Sequence, residues 1–586
     1  MKASNSAKKE ANTSKIQIER VDNLPLIITW LMKMHIHTII DALWRPHGRW
    51  QGLSYGELAL LFVAYVLQRR THRLMSMEKW LNDHRVVIGQ ITGWRLREKE
   101  ATDDRLGILL SALGEAEEAG VELQQQLGRH LIRAYELPTE VGRYDTSSFN
   151  VYHAPSAAGE PERELLRWGH SKDKQAGLLQ FKQGLGTLDP AGVPLLTHTL
   201  SGEVADDGLY LPAWWQMKQI VGHCHFLFIA DCKAAAMETR AGIASQGGTY
   251  LFPLPMTGET PTWLAQQVTQ QPTQEIILPE VQDKLGRPEV MGEGFVLTRE
   301  QSYPLAHGLT YTWSEQWFVT RSHSLRKRQQ ATLTRRLERT ETELRRLRPK
   351  EGETAAVFSQ RVDKVLGKRG VADYFLVKVQ ESILIRKHYL KPGRPGVNTP
   401  YELESSSRLS LSLQRQEALI AQAMQLAGWR IHVSNAAPQH LSLTDSVRYY
   451  RDEWLVERGF HRFKKGSLPA LPLYLQLPER IRGLMLLLLI ALQALTLLEF
   501  VASRSLTGSG QAIAGLVPGN PKMKTERPSA ERLLAAFDKL HLLITQSDRA
   551  VAATLVESLT PLQLFILELL HLSPSIFDLG SVFVPP

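Results

Sequence analysis

The chain has 586 residues, several times the usual domain length, and is 43% hydrophobic and 22% charged. That composition excludes a disordered, collagen-like or disulfide-framework protein and supplies ample apolar material for a core. Lys and Arg exceed Asp and Glu by 69 − 60 = 9, a balance that favours an anionic partner, nucleic acid before membrane.

The first fifteen residues are polar and read as disordered, with no apolar stretch that would make a secretory signal. Residues 16–140 read as a helical domain: 58–67 and 106–113 carry apolar residues at helical spacing. Basic residues cluster there at Arg69, Arg70, His72 and Arg73, and again at Arg95, Arg97 and Lys99. These are either two solvated faces or DNA contacts. From about 141 the period changes, and 141–152, 192–200 and 225–231 read as strands, with Gly-bearing turns between them. Cys224 and Cys232, the two cysteines of the chain, form no framework and fit a reducing cytoplasm.

Further strand-like runs follow at 294–298, 309–320 and 374–386, so the fold class is mixed α/β. Between them, 325–350 is helical and basic, with ten Lys or Arg against three Glu. Leu333, Leu337, Leu344 and Leu347 give it a seam, either of an amphipathic helix on one Leu stripe or of a phosphate-binding arm. Residues 391–400 form a Pro/Gly loop in which Arg394 suits a narrow minor groove, although a plain linker explains it better. Residues 441–502 read as helical, 503–528 as loop and 529–570 as a helical tail. The greasiest run, 484–498, is 15 residues, short of the roughly 20 that span a bilayer, and reads as a buried core helix.

Phosphate-loop, Gly-x-Ser-x-Gly, Cys-x-x-Cys and His-Glu-x-x-His motifs are absent. His223, Cys224 and His225 lack a second ligand pair nearby and read as strand-face residues rather than a zinc site. Acids at strand ends are more informative. Asp145 lies in one strand-like run and Asp231 closes another, 226–230, where the sheet would fix each carboxylate's direction for a metal. With 60 acids in the chain, a triplet chosen this way proves little. In 450–464, a continuous helix would set Tyr450, Glu453, Glu457 and Lys464 within about 60° of one another. Arg458, His461, Arg462 and Lys465 would make the surroundings basic. An exposed polar helix explains the same pattern, and Gly459 would weaken it by about 1 kcal/mol.

These blocks together resemble a bacterial insertion-sequence transposase of the DDE class, in the branch with a Tyr-x2-Arg-x3-Glu-x6-Lys signature around the last acid. Tyr450, Glu457 and Lys464 match that spacing, while Glu453 stands where arginine is usual. Residues 144–149, 169–174, 192–195 and 230–231 resemble the family's first-acid strand, following hairpin and second-acid strand, and 471–498 its proline-broken segment and apolar helix. The resemblance runs with gaps from about 25 to 575.

It implies an RNase H-like core made of 141–240 and 431–502, interrupted by a partly β insertion over 241–430, with a DNA-binding domain at 16–140 and a helical region at 503–586. Asp145, Asp231 and Glu457 would then be catalytic and bind two Mg²⁺ ions, with Mn²⁺ able to substitute. Tyr450, Lys464, Arg462, Lys465, Arg69, Arg70 and Arg73 would contact DNA. Arg451 or Arg462 would have to replace the missing arginine. Trp313 and Trp317 would either stack on an extruded base or pack in the core, the second being favoured. The partners implied are transposon terminal repeats and target DNA, bound by a homodimer or larger assembly in the bacterial cytoplasm at the nucleoid, with no membrane. Two other classes fit less well: an inactive, domesticated DNA-binding descendant, and a structure-specific nuclease on the same fold.

Overall fold

The computed structural model describes residues 15–154, 164–170, 172, 175, 177–282, 286–305, 309–390, 392–546, 550–578 and 580–583. Residues 1–14, the Ser171, Asp173 and Lys174 of the 169–174 block, and Lys391 of the Pro/Gly loop lie outside them.

A short strand, β1 (Lys15–Arg20), precedes the helices α1 (Leu24–Lys33), α2 (Ile36–Leu43), α3 (Tyr55–Arg69), α4 (Leu74–Asp83), α5 (Arg85–Thr92), α6 (Asp103–Glu115) and α7 (Glu117–Tyr135). Helix α3 is apolar nearly all round, which forces it inside. Its start is fixed by a capping box: Ser54 Oγ accepts from Glu57 N–H, and the Glu57 carboxylate accepts from Ser54 N–H at 2.8 Å.

The second stretch contains β2 (Val141–Val151), β3 (Leu179–Leu188), β4 (Val193–Ser201), α8 (Tyr210–Val221), β5 (Leu227–Ala230), α9 (Met237–Ser245) and β6 (Thr249–Pro253). It continues with α10 (Thr260–Gln270), β7 (Gln274–Gln282), β8 (Pro288–Pro304), β9 (Thr310–Ser322), α11 (His323–Arg346) and α12 (Ala355–Lys368). After these come β10 (Phe375–Tyr389), β11 (Tyr401–Arg415), α13 (Glu417–Leu426), β12 (Trp429–Ser434), α14 (Leu443–Arg451) and α15 (Trp454–Lys464). Nine of these strands form one mixed sheet, ordered β4-β3-β2-β5-β6-β12-β9-β8-β7. The β2–β5 and β5–β6 pairs are parallel and the rest antiparallel.

The boundary at 241 therefore cuts a continuous sheet: β6 pairs with β5, and β12 carries the hydrogen bonding on to β9, β8 and β7. Strand order is set by pairings distant in sequence, which a local period does not contain. The part of 241–430 that stands off this sheet is α11, α12, α13 and the β10–β11 hairpin. They share a small core of Leu337, Leu344, Val362, Leu366, Phe375 and Ile420. The Leu stripe of the basic helix thus packs in that satellite core.

The chain ends with α16 (Pro478–Ser509), α17 (Ala530–Ala535), β13 (His541–Gln546), β14 (Ala550–Leu555), α18 (Pro561–Leu569) and β15 (Gly580–Phe583). The expected all-helical tail is corrected: β1-β13-β14-β15 form a four-stranded antiparallel sheet that joins both ends of the chain. Helix α16 is 32 residues rather than 15, and by length and composition it could cross a membrane, but 94% of its most apolar window is buried inside the protein. Packed by α3, α6 and β4, it is the central core helix.

Its crossing with α6 is close. A Cβ on Gly483 would lie 2.1 Å from Leu110 O, and one on Gly114 only 1.8 Å from Glu479 O. These partners are backbone atoms that cannot swing away. We expect Gly483→Ala to force the helices apart and cost about 1–3 kcal/mol; chemical denaturation of the full chain reads it, and an unchanged midpoint would refute the close crossing.

Candidate active site

Strands β2 and β5 run parallel, with Tyr144 opposite Ala230. The next residue after each is an acid, so Asp145, within β2, and Asp231, just past the end of β5, follow neighbouring paired positions. Both belong to the positions identified from sequence. Asp145 accepts from its neighbour's amide, Thr146 N–H, at 2.7 Å, and Lys172 Nζ lies 3.6 Å away. Lys172 also donates to Thr146 O at 2.6 Å and reaches Asp206 at 3.8 Å. Burial pushes the Asp145 carboxyl up to about 6; the Lys172 ammonium opposes that and Asp231 adds to it. Asp231 caps the short 3-10 turn Cys232–Ala235, accepting from Lys233 N–H at 3.0 Å, and takes the Tyr210 hydroxyl at 2.5 Å. Burial and the carboxylate together push the Tyr210 phenol strongly upward, holding it as a donor.

The third acid is where structure and sequence part. The predicted continuous helix 450–464 is two helices: α14 ends at Arg451 and α15 begins at Trp454. The single stripe of Tyr450, Glu453, Glu457 and Lys464 is therefore corrected. The break falls at Asp452–Glu453, ahead of Leu455 and Val456, which turn inward to be buried. Gly459 does not end the helix; it lets α15 lie on β3, where a Cβ would meet Leu185 Cδ2 at 2.7 Å. Leu185 is the register partner of Asp145, so α15 covers the sheet face that carries this acid.

Glu453, the departure from the family pattern, sits half-buried at the N-cap of α15. Burial, with Asp145, Glu457 and Asp231 adding to it, pushes its carboxyl up to about 7. Glu457, one turn on, is exposed. The site thus gathers Asp145, Asp231 and Glu453, with Glu457 at its rim. The sequence places Glu453 on the stripe with Tyr450, Glu457 and Lys464 and at the usual arginine position, but not among the three acids, because the family signature assigns the third acid to Glu457. Lys172 stood within the 169–174 block, while nothing local marked Tyr210.

The predicted DNA contacts divide. Tyr450 is half-buried, its ring 4.5 Å from His432, with Arg430 5.6 Å away and its phenol pushed up to about 12 by burial. It lines a cavity of about 270 Å³ with Arg321, Arg328, Arg430 and Arg451. Arg430 and Arg451 are therefore the cations beside the signature tyrosine. Lys464 is half-buried with Nζ 5.3 Å from the Phe149 ring, and Lys465 is exposed. Arg462 is a correction. Only 4% exposed, it bonds Glu499 at 2.5 Å and Glu531 at 2.9 Å, locking α15 onto α16 and α17 rather than facing DNA. Arg69, Arg70 and Arg73 are exposed. Trp313 is buried and donates to Tyr250 OH, and Trp317 packs on Trp263, so the core reading holds for the first and a packed surface for the second.

Among the described residues, no three His, Cys, Asp or Glu side chains are close enough to share a metal ion, the 223–225 cluster included. The acid pair nonetheless suits a hard divalent cation. Its donors are carboxylate oxygens, and its crowded negative charge is met on one side by the Lys172 ammonium, a stand-in cation.

His432, beside Tyr450, is 3% exposed, and neither ring nitrogen has a hydrogen-bond partner among the described residues. Burial lowers it from 6.5 to about 3. The folded chain thus binds fewer protons here than the unfolded one, so its stability is full above about pH 6.5 and is lost as pH falls towards 3. We expect His432→Phe to flatten the fall in thermal midpoint between pH 6.5 and 4, and equal slopes would refute the assignment.

No family model matches the chain, and no curated protein is similar to it at a significant level. Among solved structures it is similar to the piggyBac transposase synaptic complex with hairpin DNA, at a TM-score of 0.23 and 9% identity. That alignment covers 51% of this chain and 63% of the transposase chain.

Proposed function

We propose that the chain is a DDE-class DNA transposase of the insertion-sequence type, cleaving transposon ends and joining them to target DNA. The observation that carries this reading is that Asp145, within β2, and Asp231, just past the end of β5, directly follow the paired residues Tyr144 and Ala230 of adjacent parallel strands, with α15 packed over the face that carries Asp145. The strand order β4-β3-β2-β5-β6, three antiparallel then two parallel, supports an RNase H-like core.

Asp145 and Asp231 would hold Mg²⁺ (or Mn²⁺), with Glu457 from the family pattern, or Glu453 from its position, as the third ligand. Such ions supply activation of the attacking oxygen and stabilisation of the leaving one. The chain's own residues do the rest. Lys172, 3.6 Å from Asp145, offsets part of the negative charge of the acid pair. Tyr210 orients Asp231 through its 2.5 Å bond. Lys464 and the Arg430–Arg451 cavity flank the acids with positive charge suited to phosphates. Water or a DNA 3′-hydroxyl would be the nucleophile, so no protein–DNA covalent intermediate is needed. DNA ends and target DNA are the proposed partners, held by at least a dimer in a bacterial cytoplasm.

The test uses a plasmid carrying the gene and its native flanks, incubated with the chain with and without Mg²⁺. Breaks at fixed flank positions that require the metal, and joined products among them, support the transposase. Glu457→Gln and Glu453→Gln side by side decide the third acid: the ligand is the one whose loss abolishes breaks. Binding without cleavage would instead favour the inactive DNA-binding descendant, a reading that the glutamate at the arginine position motivates.

A further inference from the structure

A cleft of about 750 Å³ lies between the α3–α4 junction and the segment 469–474. Its cations are Arg69, Arg70, Arg73 and Lys79, set against a single acid, Asp83. Arg69, Arg73 and Lys79 are exposed and make no ion pair among the described residues. Arg70 is drawn partly towards Asp538.

The cleft is built rather than incidental. His72, 3% exposed, stands 2.7 Å from Pro469 O through Nδ1 and ties one wall to the other. Arg73 donates to the Tyr474 hydroxyl at 2.7 Å and lies 5.0 Å from that ring's centroid. Four cations around an open cleft with an exposed aromatic edge match a phosphodiester backbone better than a compact anion, which needs enclosure.

The cleft is also tied to the strand that carries Asp145. Along β2, side chains alternate between faces, so Asp145, Ser147, Phe149 and Val151 share one face. Lys464 sits over Phe149 on that face, and His153, just past the strand end, hydrogen-bonds Leu473 O at 2.9 Å. Residue 473 adjoins Tyr474 in the cleft wall. That face lies under α15 and is buried at Phe149 and Val151, so β2 serves as a fixed spacer: the basic cleft stands eight residues, or about 25 Å, from the acid pair.

Resting on the transposase reading, we propose that this cleft holds the backbone of duplex DNA whose reacting end lies at the acid site. At 3.4 Å per step the held phosphates lie about seven or eight nucleotides from the bond being cut.

The test uses full-length Asp145→Asn, which leaves the duplex uncut, and a fluorescent 30-base-pair duplex of arbitrary sequence between 50 and 200 mM salt. Adding Arg69→Gln, Arg73→Gln and Lys79→Gln should weaken binding at least tenfold and lower the log–log salt slope by about 2 to 3, since each lost phosphate contact removes about 0.9. Thermal midpoints within 2 °C of the parent establish that the variant is folded; Arg69→Gln/Lys79→Gln, which leaves the Arg73–Tyr474 bond alone, serves if it is not. On a flank duplex, phosphate-ethylation interference should mark positions six to ten from the cut.

Unchanged affinity and slope overturn the proposal, as does a parent that binds no duplex at 50 mM salt. The same loss seen only with single-stranded DNA overturns the duplex assignment. Failure of the transposase reading appears separately, as wild-type chain that binds duplex through the cleft yet makes no metal-dependent breaks.

Discussion

Asp145→Asn and Asp231→Asn each reduce flank cleavage by more than about 100-fold, the loss that even an outer-shell partner of a metal ligand causes. Asp145 is fixed within β2, and Asp231 by its cap on the 3-10 turn and its bond to Tyr210. A thermal scan gives an independent reading. Asp145 is held at about 6 in the folded chain against 3.8 when exposed. A raised acid favours folding below its unfolded value and loses that benefit as pH climbs to the folded one. The Asp145 contribution to metal-free stability should therefore be lost from about pH 4 to pH 6, opposite in sign to that of His432, and Asp145→Asn should lack this component relative to wild type. Magnesium should reverse the loss in wild type, by about 2.7 kcal/mol at a hundredfold excess over Kd, and do nothing for either Asn variant. Equal magnesium shifts in wild type and variants would remove the metal site from this face.

The second large effect concerns stability. Arg462→Ala leaves the carboxylate of Glu499, 5% exposed, and that of Glu531 without their main partner. Breaking a buried pair from one side costs about 3–5 kcal/mol. The lower end is expected, because Arg458 Nη2 still lies 2.8 Å from Glu499 and Ala530 N–H still donates to it at 3.0 Å. Lys465→Ala, exposed on the next turn, should change stability by less than about 0.5 kcal/mol. Denaturant midpoints separate the two. If Arg462→Ala were as stable as Lys465→Ala but bound DNA more weakly, the buried ion cluster would be the wrong account and a direct contact the right one.

The contrast between these two basic residues shows what a linear pattern contains. Both were grouped as a basic surface because they flank a signature. Their fates differ because Glu499 and Glu531, 37 and 69 residues further on, fold against one of them. Glu453 follows the same logic. Its place in the pattern marked a lost arginine, whereas the break between α14 and α15 turns it towards Asp145 and Asp231.

What the sequence alone determined is what local periodicity and local chemistry encode. Residues 141–152, and the 227–230 part of the expected strand 225–231, were legible as strands because alternation and apolar runs are properties of a few adjacent residues; Asp231 falls just past its strand rather than within it. The buried 484–498 helix was legible because no surface could hold so continuous an apolar run. Tertiary structure alone decided the rest. It joined β7–β9 to the same sheet through β12, and paired β1 with β13. It also buried Arg462 and brought Tyr474 against Arg73. Each depends on a partner far along the chain, and the free energy that selects it appears only when both surfaces leave water together.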